Sequence, residues 1–178
     1  MPCTIVCGGL FGDEGKGKVV AYVSTTDRAD FVVRGGVGPN AGHTVVYKGV
    51  EYECRHVPAG FVYENAQLRV GRGTLVNPQL LFKEFEMLEA MGLHIRNRMK
   101  VDKECGIIER RHIIKERSNA YLYREIGSMG SGCGPANAER ALGLLRKAEE
   151  IEELRPYITD VSYEVNKALD EGKNVILE

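Results

Sequence analysis

The segment Gly12-Asp13-Glu14-Gly15-Lys16-Gly17-Lys18 combines the residue types that handle phosphate, and it closes a glycine-rich run that starts at Gly8. Glycines let a backbone turn its N–H groups toward an anion. A following helix N-terminus adds partial positive charge, and Lys16 and Lys18 add full charges. Asp13 and Glu14 are out of place in a loop built only to hold phosphate, so they point to a metal ion or to proton transfer. The spacing from Gly12 to Lys18 fits G-x-x-x-x-G-K, the front of a P-loop. The next residue is Val19, where a P-loop has the Ser or Thr that binds Mg²⁺. With that hydroxyl missing, another ligand has to hold any Mg²⁺, and Asp13 is the obvious replacement. A turn that merely reverses the chain is the plainer alternative, and it leaves the two lysines and two acids without a purpose.

A second constellation follows at Gly35-Gly36-Val37-Gly38-Pro39-Asn40-Ala41-Gly42-His43-Thr44. Its glycines, proline and asparagine predict a loop. A histidine held there serves as a general acid or hydrogen-bond donor. An isolated histidine is more often a packing residue; beside a phosphate loop the balance reverses.

These loops need elements to hold them. Thr4–Cys7 reads as a buried strand entering the first loop, and Val19–Val23 as the start of the helix leaving it. Asp30–Arg34 reads as the strand feeding the second loop. Pro78–Met91 carries Leu80, Leu81, Phe85, Leu88 and Met91 near helical spacing, with Gly92 as its stop. Ala136–Glu153 is helix-like, with a break near Glu150. Thr159 or Asp160 is placed to cap a helix to Asp170; Gly172 ends it, and Asn174–Glu178 reads as a strand. Strands and helices alternating in this way predict an α/β layout.

The 178 residues suit one domain with a sizeable core, and the net charge of -1 argues against a nucleic-acid or membrane partner. No apolar run approaches ~18 residues, and the N-terminus lacks a signal-peptide pattern. Cys3, Cys7, Cys54, Cys105 and Cys133 are scattered without C-x-x-C, which fits a reducing, cytoplasmic setting. Cys133, in a glycine loop, is read as a packed thiol rather than a reactive one. The alternating charges from Glu109 to Arg117 read as a solvated helix face, and His56, His94 and His112 as structural.

The two loops together resemble adenylosuccinate synthetase, and Gly35-Gly36-Val37-Gly38-Pro39 is closer to its archaeal-type branch. Further matches follow in order: Val57-Pro58-Ala59-Gly60, Val70-Gly71-Arg72-Gly73, and Ile126-Gly127-Ser128-Met129-Gly130-Ser131-Gly132-Cys133-Gly134-Pro135-Ala136. The resemblance implies a largely parallel central sheet with flanking helices, P-loop-NTPase-like. It implies a ligase that joins IMP to L-aspartate with GTP and Mg²⁺, through a 6-phosphoryl-IMP intermediate. By carry-over Asp13 is the catalytic base and His43 the acid, with Asp13 and the Gly42 carbonyl as magnesium ligands. GTP would meet Gly12, Asp13, Glu14, Gly15, Lys16, Gly17, Lys18, Gly42, His43 and Thr44. IMP would meet Asp13, Glu14, Gly15, Lys16, Asn40, Ala41, Gly42, His43, Ser128, Met129 and Arg140. The resemblance also implies a homodimer.

Three departures stand out. The family has Thr at the position of Met129, where it contacts the IMP phosphate; a thioether cannot replace that donor, and Ser128 is the neighbouring substitute. The family's Arg that reaches the partner subunit's IMP falls at Gly143, with Arg140 and Arg146 flanking it on the expected helix. Leu10 stands where the family commonly has Gln. These changes touch the monophosphate site, so a related phage group that uses dGMP is kept as the alternative acceptor class, although its typical members alter the residue at Asp13. The family continues beyond the position of Glu178 with segments for the IMP site, guanine and aspartate. Residues 1–178 therefore match the N-terminal part of one nucleotide-binding domain, incomplete in this chain. A stop at that strand is expected to leave an exposed sheet edge. A non-catalytic nucleotide-binding fragment and a generic P-loop NTPase are the other readings; Val19 and the Asn40–Thr44 loop weigh against the latter.

Overall fold

The computed structural model describes residues 3–10, 12–36 and 38–178; Phe11 and Val37, which the sequence places in the two loops, lie outside the described residues. A six-stranded sheet organises the chain. Its strands are β1 (Cys3–Ile5), β2 (Phe31–Arg34), β5 (Gln67–Val70), β7 (Met99–Asp102), β9 (Ile158–Thr159) and β10 (Val175–Leu177), in spatial order β1-β10-β2-β5-β7-β9. Every neighbouring pair is parallel. Parallel strands need both faces covered, which explains the unbroken apolar runs such as Val32-Val33. β10 thus lies inside the sheet, between β1 and β2, so the expectation that it forms an edge is corrected; among the described strands β1 and β9 are the outer ones.

The remaining pairings are smaller. β3 (His43–Tyr47) and β4 (Val50–Cys54) form an antiparallel hairpin turning at Lys48 and Gly49, both with positive φ (50° and 78°), the two-residue turn that matches strand twist. β6 (Leu75–Val76) pairs in parallel with β8 (Gly106–Ile107).

Among the described residues five α-helices pack around these strands: α1 (Lys16–Thr26), α2 (Pro78–Ala90), α3 (Arg110–Ser118), α4 (Cys133–Ala141) and α5 (Val161–Asp170). α1 buries Gly17, Val20, Ala21 and Ser24, one face of a 3.6-residue helix. α2 starts where sequence rules place it: Asn77 accepts the Leu80 N–H, Pro78 fills the first turn, and Leu81, Phe85 and Leu88 are buried at helical spacing. The Asp160 side chain accepts the Tyr163 N–H and caps α5. The main core runs from Val20 and Val32 through Phe61, Leu68 and Phe85 to Leu154.

Five local expectations are corrected. The strand read as buried over Thr4–Cys7 is β1, which stops at Ile5; as an outer strand it leaves Ile5 64% exposed, and Cys7 is exposed too. α1 begins at Lys16, three residues before Val19, because Gly15 takes a left-handed φ of 78° and breaks the loop directly into the helix. His43 and Thr44 open β3 instead of ending a loop, since they pair with Cys54 and Glu53. The helix expected over Ala136–Glu153 is α4, which starts at Cys133 and stops at Ala141; Gly143, at φ 72°, turns the chain away. Beyond it the Arg146 carbonyl accepts from Ile107 N and Lys147 bridges to Gly106, so Arg146 does not share a helix with Arg140. Finally, α3 is not simply solvated. His112 and Glu116 are buried, Glu116 accepts the Gly132 N–H, and Arg117 donates to the Gly130 carbonyl, so this charged helix clamps the Ile126–Gly132 loop.

Candidate functional site

Both predicted loops leave the carboxyl ends of parallel strands, β1 and β2, where ligand crevices form in such sheets. They meet in a cleft of about 260 Å³ lined by Asp13, Glu14, Gly15, Lys16, Gly17, Lys18, Ala41, Gly42, His43 and Thr44. Ten residues from two separate stretches of sequence thus face one space. Gly17 makes the junction possible. A Cβ on it would stand 2.8 Å from the His43 Cβ and 3.3 Å from the Thr44 carbonyl oxygen, so only glycine lets α1 approach β3 this closely.

The helix end in the cleft is open. Gly15 offers no side-chain cap to α1, and the Lys16 and Gly17 N–H groups have no partner among the described residues. A helix N-terminus with uncapped N–H groups beside Lys16 and Lys18 is an anion-binding arrangement.

The two carboxylates divide their work. Glu14 turns back on its own loop: Oε1 accepts from Leu10 N at 2.9 Å and Gly12 N at 3.4 Å, and Oε2 pairs with Lys16. The Lys16 ammonium, helped by the Leu10 N–H, holds its carboxyl down at about 2. Glu14 therefore shapes the loop and offsets one of its lysines. Asp13 is exposed, sits at a strained φ of 56°, and makes no side-chain hydrogen bond or ion pair among the described residues. Its carboxylate remains for a ligand.

Behind the cleft lies a buried charged network that sequence reasoning missed. Arg34, the last residue of β2, reaches His43 Nδ1 with Nη1 at 2.8 Å and the Ala41 carbonyl with Nη2. Glu178, just after β10, meets Arg34 at 3.0 Å and accepts from Ala59 N at 3.1 Å. The side chains of Arg34 and Glu178 are 4% and 0% exposed. Their signal in the sequence was a charged residue at the carboxyl end of each apolar strand.

The expected monophosphate residues do not converge on this cleft. Met129 is 57% exposed and lines a separate hollow with Pro39, Arg55 and Arg117. Ser128 accepts from Gly130 N at 3.4 Å within its own turn. Arg140 lines a third hollow with Arg72, Glu104 and Lys147. Asn40 links the regions through a 3.7 Å contact from the Cys133 thiol, and Pro39 lines the hollow that Met129 shares. That thiol is buried, and burial pushes it above its ordinary value, as expected of a packed cysteine. All five cysteines are free. His56 and His112 are buried and structural: His56 Nε2 accepts from Asn77 N, and His112 bridges Glu109 N and Glu139. His94 is exposed, and its carbonyl accepts from Arg98.

No group of three or more His, Cys, Asp or Glu side chains gathers among the described residues. That is compatible with Mg²⁺, which takes one or two protein oxygens and fills its shell with water and substrate phosphates. An unpaired Asp13 carboxylate and the exposed Gly42 backbone on one cleft fit that pattern.

The parallel sheet, the glycine loop running into an uncapped helix and the histidine opposite it define an α/β protein of the P-loop-like kind. The family model for adenylosuccinate synthetase matches residues 5–146, and the chain belongs to that family. Archaeal adenylosuccinate synthetases match over all 178 residues. That of Methanocaldococcus jannaschii is 51% identical and that of Thermococcus sibiricus 50%. The chain spans about half the length of these relatives, 51% and 52% respectively. Among solved structures, fully ligated adenylosuccinate synthetase from Plasmodium falciparum superposes with a TM-score of 0.83 at 23% identity, over 99% of this chain and 50% of that one. The succinoaminodeoxyadenylate synthetase of cyanophage S-2L, bound to dGMP and dATP, gives 0.77 at 21%, over 98% and 49%. Among the described residues no helix is long and apolar enough to cross a membrane.

Proposed function

We propose that the chain is the N-terminal part of a single nucleotide-binding domain, and that the whole protein is a cytoplasmic, homodimeric ligase. It joins IMP to L-aspartate at the expense of GTP. The observation that carries this reading is the shared cleft, where Asp13, His43 and the open start of α1 face one space. Phosphoryl transfer asks mainly for positioning and charge neutralisation, and the loop amides with Lys16 and Lys18 supply both.

In this reading Asp13 takes the N1 proton of IMP, so the 6-oxygen becomes the nucleophile. That oxygen attacks the γ-phosphorus of GTP, the bond to GDP breaks, and His43 donates a hydrogen bond to the transferred phosphoryl oxygens. The aspartate amine then displaces phosphate from carbon 6. Asp13 and the Gly42 carbonyl would hold Mg²⁺, which supplies charge neutralisation to the triphosphate. In this reading Ser128, Met129 and Arg140 would still meet the IMP phosphate, although Met129 is exposed and Arg140 lines a hollow apart from the cleft.

The test is phosphate release from GTP with Mg²⁺ and L-aspartate, with IMP or dGMP as acceptor. It is run on the chain alone and on the chain completed by the second half of the Methanocaldococcus jannaschii relative. Turnover with IMP in the completed protein, abolished by Asp13→Asn with the fold retained, is the expected result. Turnover with dGMP alone would move the protein to the phage-type acceptor. A folded, completed protein that hydrolyses nothing, or an Asp13→Asn variant at near-native rate, would sink the reading.

A further inference from the structure

We propose that Arg34 and Glu178 are positioning residues that fix His43 as its Nε2–H tautomer. Glu178 holds Arg34 in place, and Arg34 occupies Nδ1. The inference rests on the proposed role of His43 as a donor to the phosphoryl group.

Arginine has donors only and keeps its charge. At 2.8 Å from Arg34 Nη1, the His43 Nδ1 must therefore be the acceptor, without a proton of its own. The ring proton then sits on Nε2. Glu178 Oε1 is also near Nδ1, at 3.3 Å, and would favour the opposite tautomer if it stood alone. That arrangement would press an Nδ1–H against the guanidinium N–H at 2.8 Å, so the closer, charged donor decides the tautomer. Nε2 makes no hydrogen bond among the described residues, and His43 lines the phosphate-loop cleft. The one donor of the ring is thus left available on the side where a phosphoryl oxygen would sit.

Glu178 makes this arrangement hold. A guanidinium whose side chain is 4% exposed needs a partner, and Glu178 is the carboxylate that meets it. Its second set of contacts, to Ala59 N at 3.1 and 3.2 Å, ties it to the turn at Ala59–Val62. Arg34 Nη2 on the Ala41 carbonyl fixes the loop just before His43. One carboxylate after β10 thereby aligns the end of β2, the second loop and the start of β3. A histidine free to exchange tautomers would present an acceptor to the phosphoryl group part of the time, and an acceptor repels an anion.

The experiment is a long-range proton–nitrogen correlation spectrum of the histidine-labelled chain at a fixed slightly alkaline pH, with His43 assigned by its loss in His43→Asn. This readout needs no turnover, so it fails or succeeds independently of the ligase reading. The unmodified chain is expected to show the Nε2–H pattern with no averaging; an Nδ1–H pattern overturns the proposal. In the double variant Arg34→Met/Glu178→Gln, which removes both buried charges together, the two nitrogen shifts of His43 should move toward each other, to the mixture of free histidine. An unmoved spectrum in the folded double variant would show a merely structural pair and overturn the positioning role. If that variant does not fold, Arg34→Lys takes its place. Lysine keeps the charge beside Glu178 but lacks the fork that reaches Nδ1 and Ala41 together, so the same averaging is expected and its absence is equally fatal.

Discussion

Gly17→Ala tests the junction between the two loops, and the structure provides its own control. Gly17 is the second residue of α1 and follows a left-handed Gly15 at φ 78°; Gly134 is the second residue of α4 and follows a left-handed Gly132 at φ 87°. Alanine gains the same helix propensity at both, up to about 1 kcal/mol and less in a first turn. The surroundings differ. At Gly134 a new Cβ meets nothing within 4 Å, whereas at Gly17 it stands 2.8 Å from the His43 Cβ. Carbon atoms settle at about 3.5–4.0 Å, so α1 and β3 must part by roughly 1 Å. His43 cannot swing aside cheaply, because its ring is held by Arg34. Overpacking of this kind costs about 1–3 kcal/mol. Gly134→Ala should therefore stabilise the chain slightly and Gly17→Ala should destabilise it, with a difference of at least about 1 kcal/mol in urea unfolding. A 1 Å displacement of His43 from the phosphate loop should also lower any cleft-dependent rate by about 10²-fold. Equal stabilisation by both alanines would show that Gly17 does not touch His43, and the cleft would lose its basis.

Two further outcomes are expected from the scaffold. Burial pushes His56 down to about 3, while its unfolded value is near 6.5, so the unfolded chain binds a proton that the folded chain refuses. Stability from this residue is full above about pH 6.5 and is lost as pH falls toward 3, by about 5 kcal/mol at most. His56→Gln, neutral throughout and able to accept from Asn77 N, should flatten that part of the pH–stability curve; an identical slope in both proteins would contradict it. Gly143→Arg restores the family's residue at a position whose φ is 72°. It should cost about 1–2 kcal/mol and lower Tm by a few degrees, and an unchanged melting curve would refute the left-handed turn.

The elements with short-range causes were legible in the sequence. α2 was marked by Pro78, its apolar spacing and Gly92, and α5 by Asp160 and Gly172, because caps and stops act within a turn of the residue that supplies them; the Asn77 cap of α2 went unread. The glycine loop and the histidine loop were equally plain, since backbone freedom is a local property. The misreadings came where local preference met a tertiary demand. Ala136–Glu153 has helix-forming composition throughout, yet Gly143 turns the chain so that Ile107 can pair with the Arg146 carbonyl. The Glu109–Arg117 charges look solvated, yet Glu116 is spent on the Gly132 amide.

What the sequence determined by itself was the chemistry on offer: two loops able to hold phosphate, a carboxylate and a histidine, and strands apolar enough to be buried on both faces. What only the tertiary structure decided was who stands together. It set Gly17 against His43, joined Arg34 to Glu178 across 144 positions, and sent Met129 and Arg140 to hollows of their own. The reason is physical. Loop conformation and capping are energies of neighbouring residues, whereas these contacts depend on strand order, and a parallel sheet brings together residues whose separation along the chain carries no trace of their partnership.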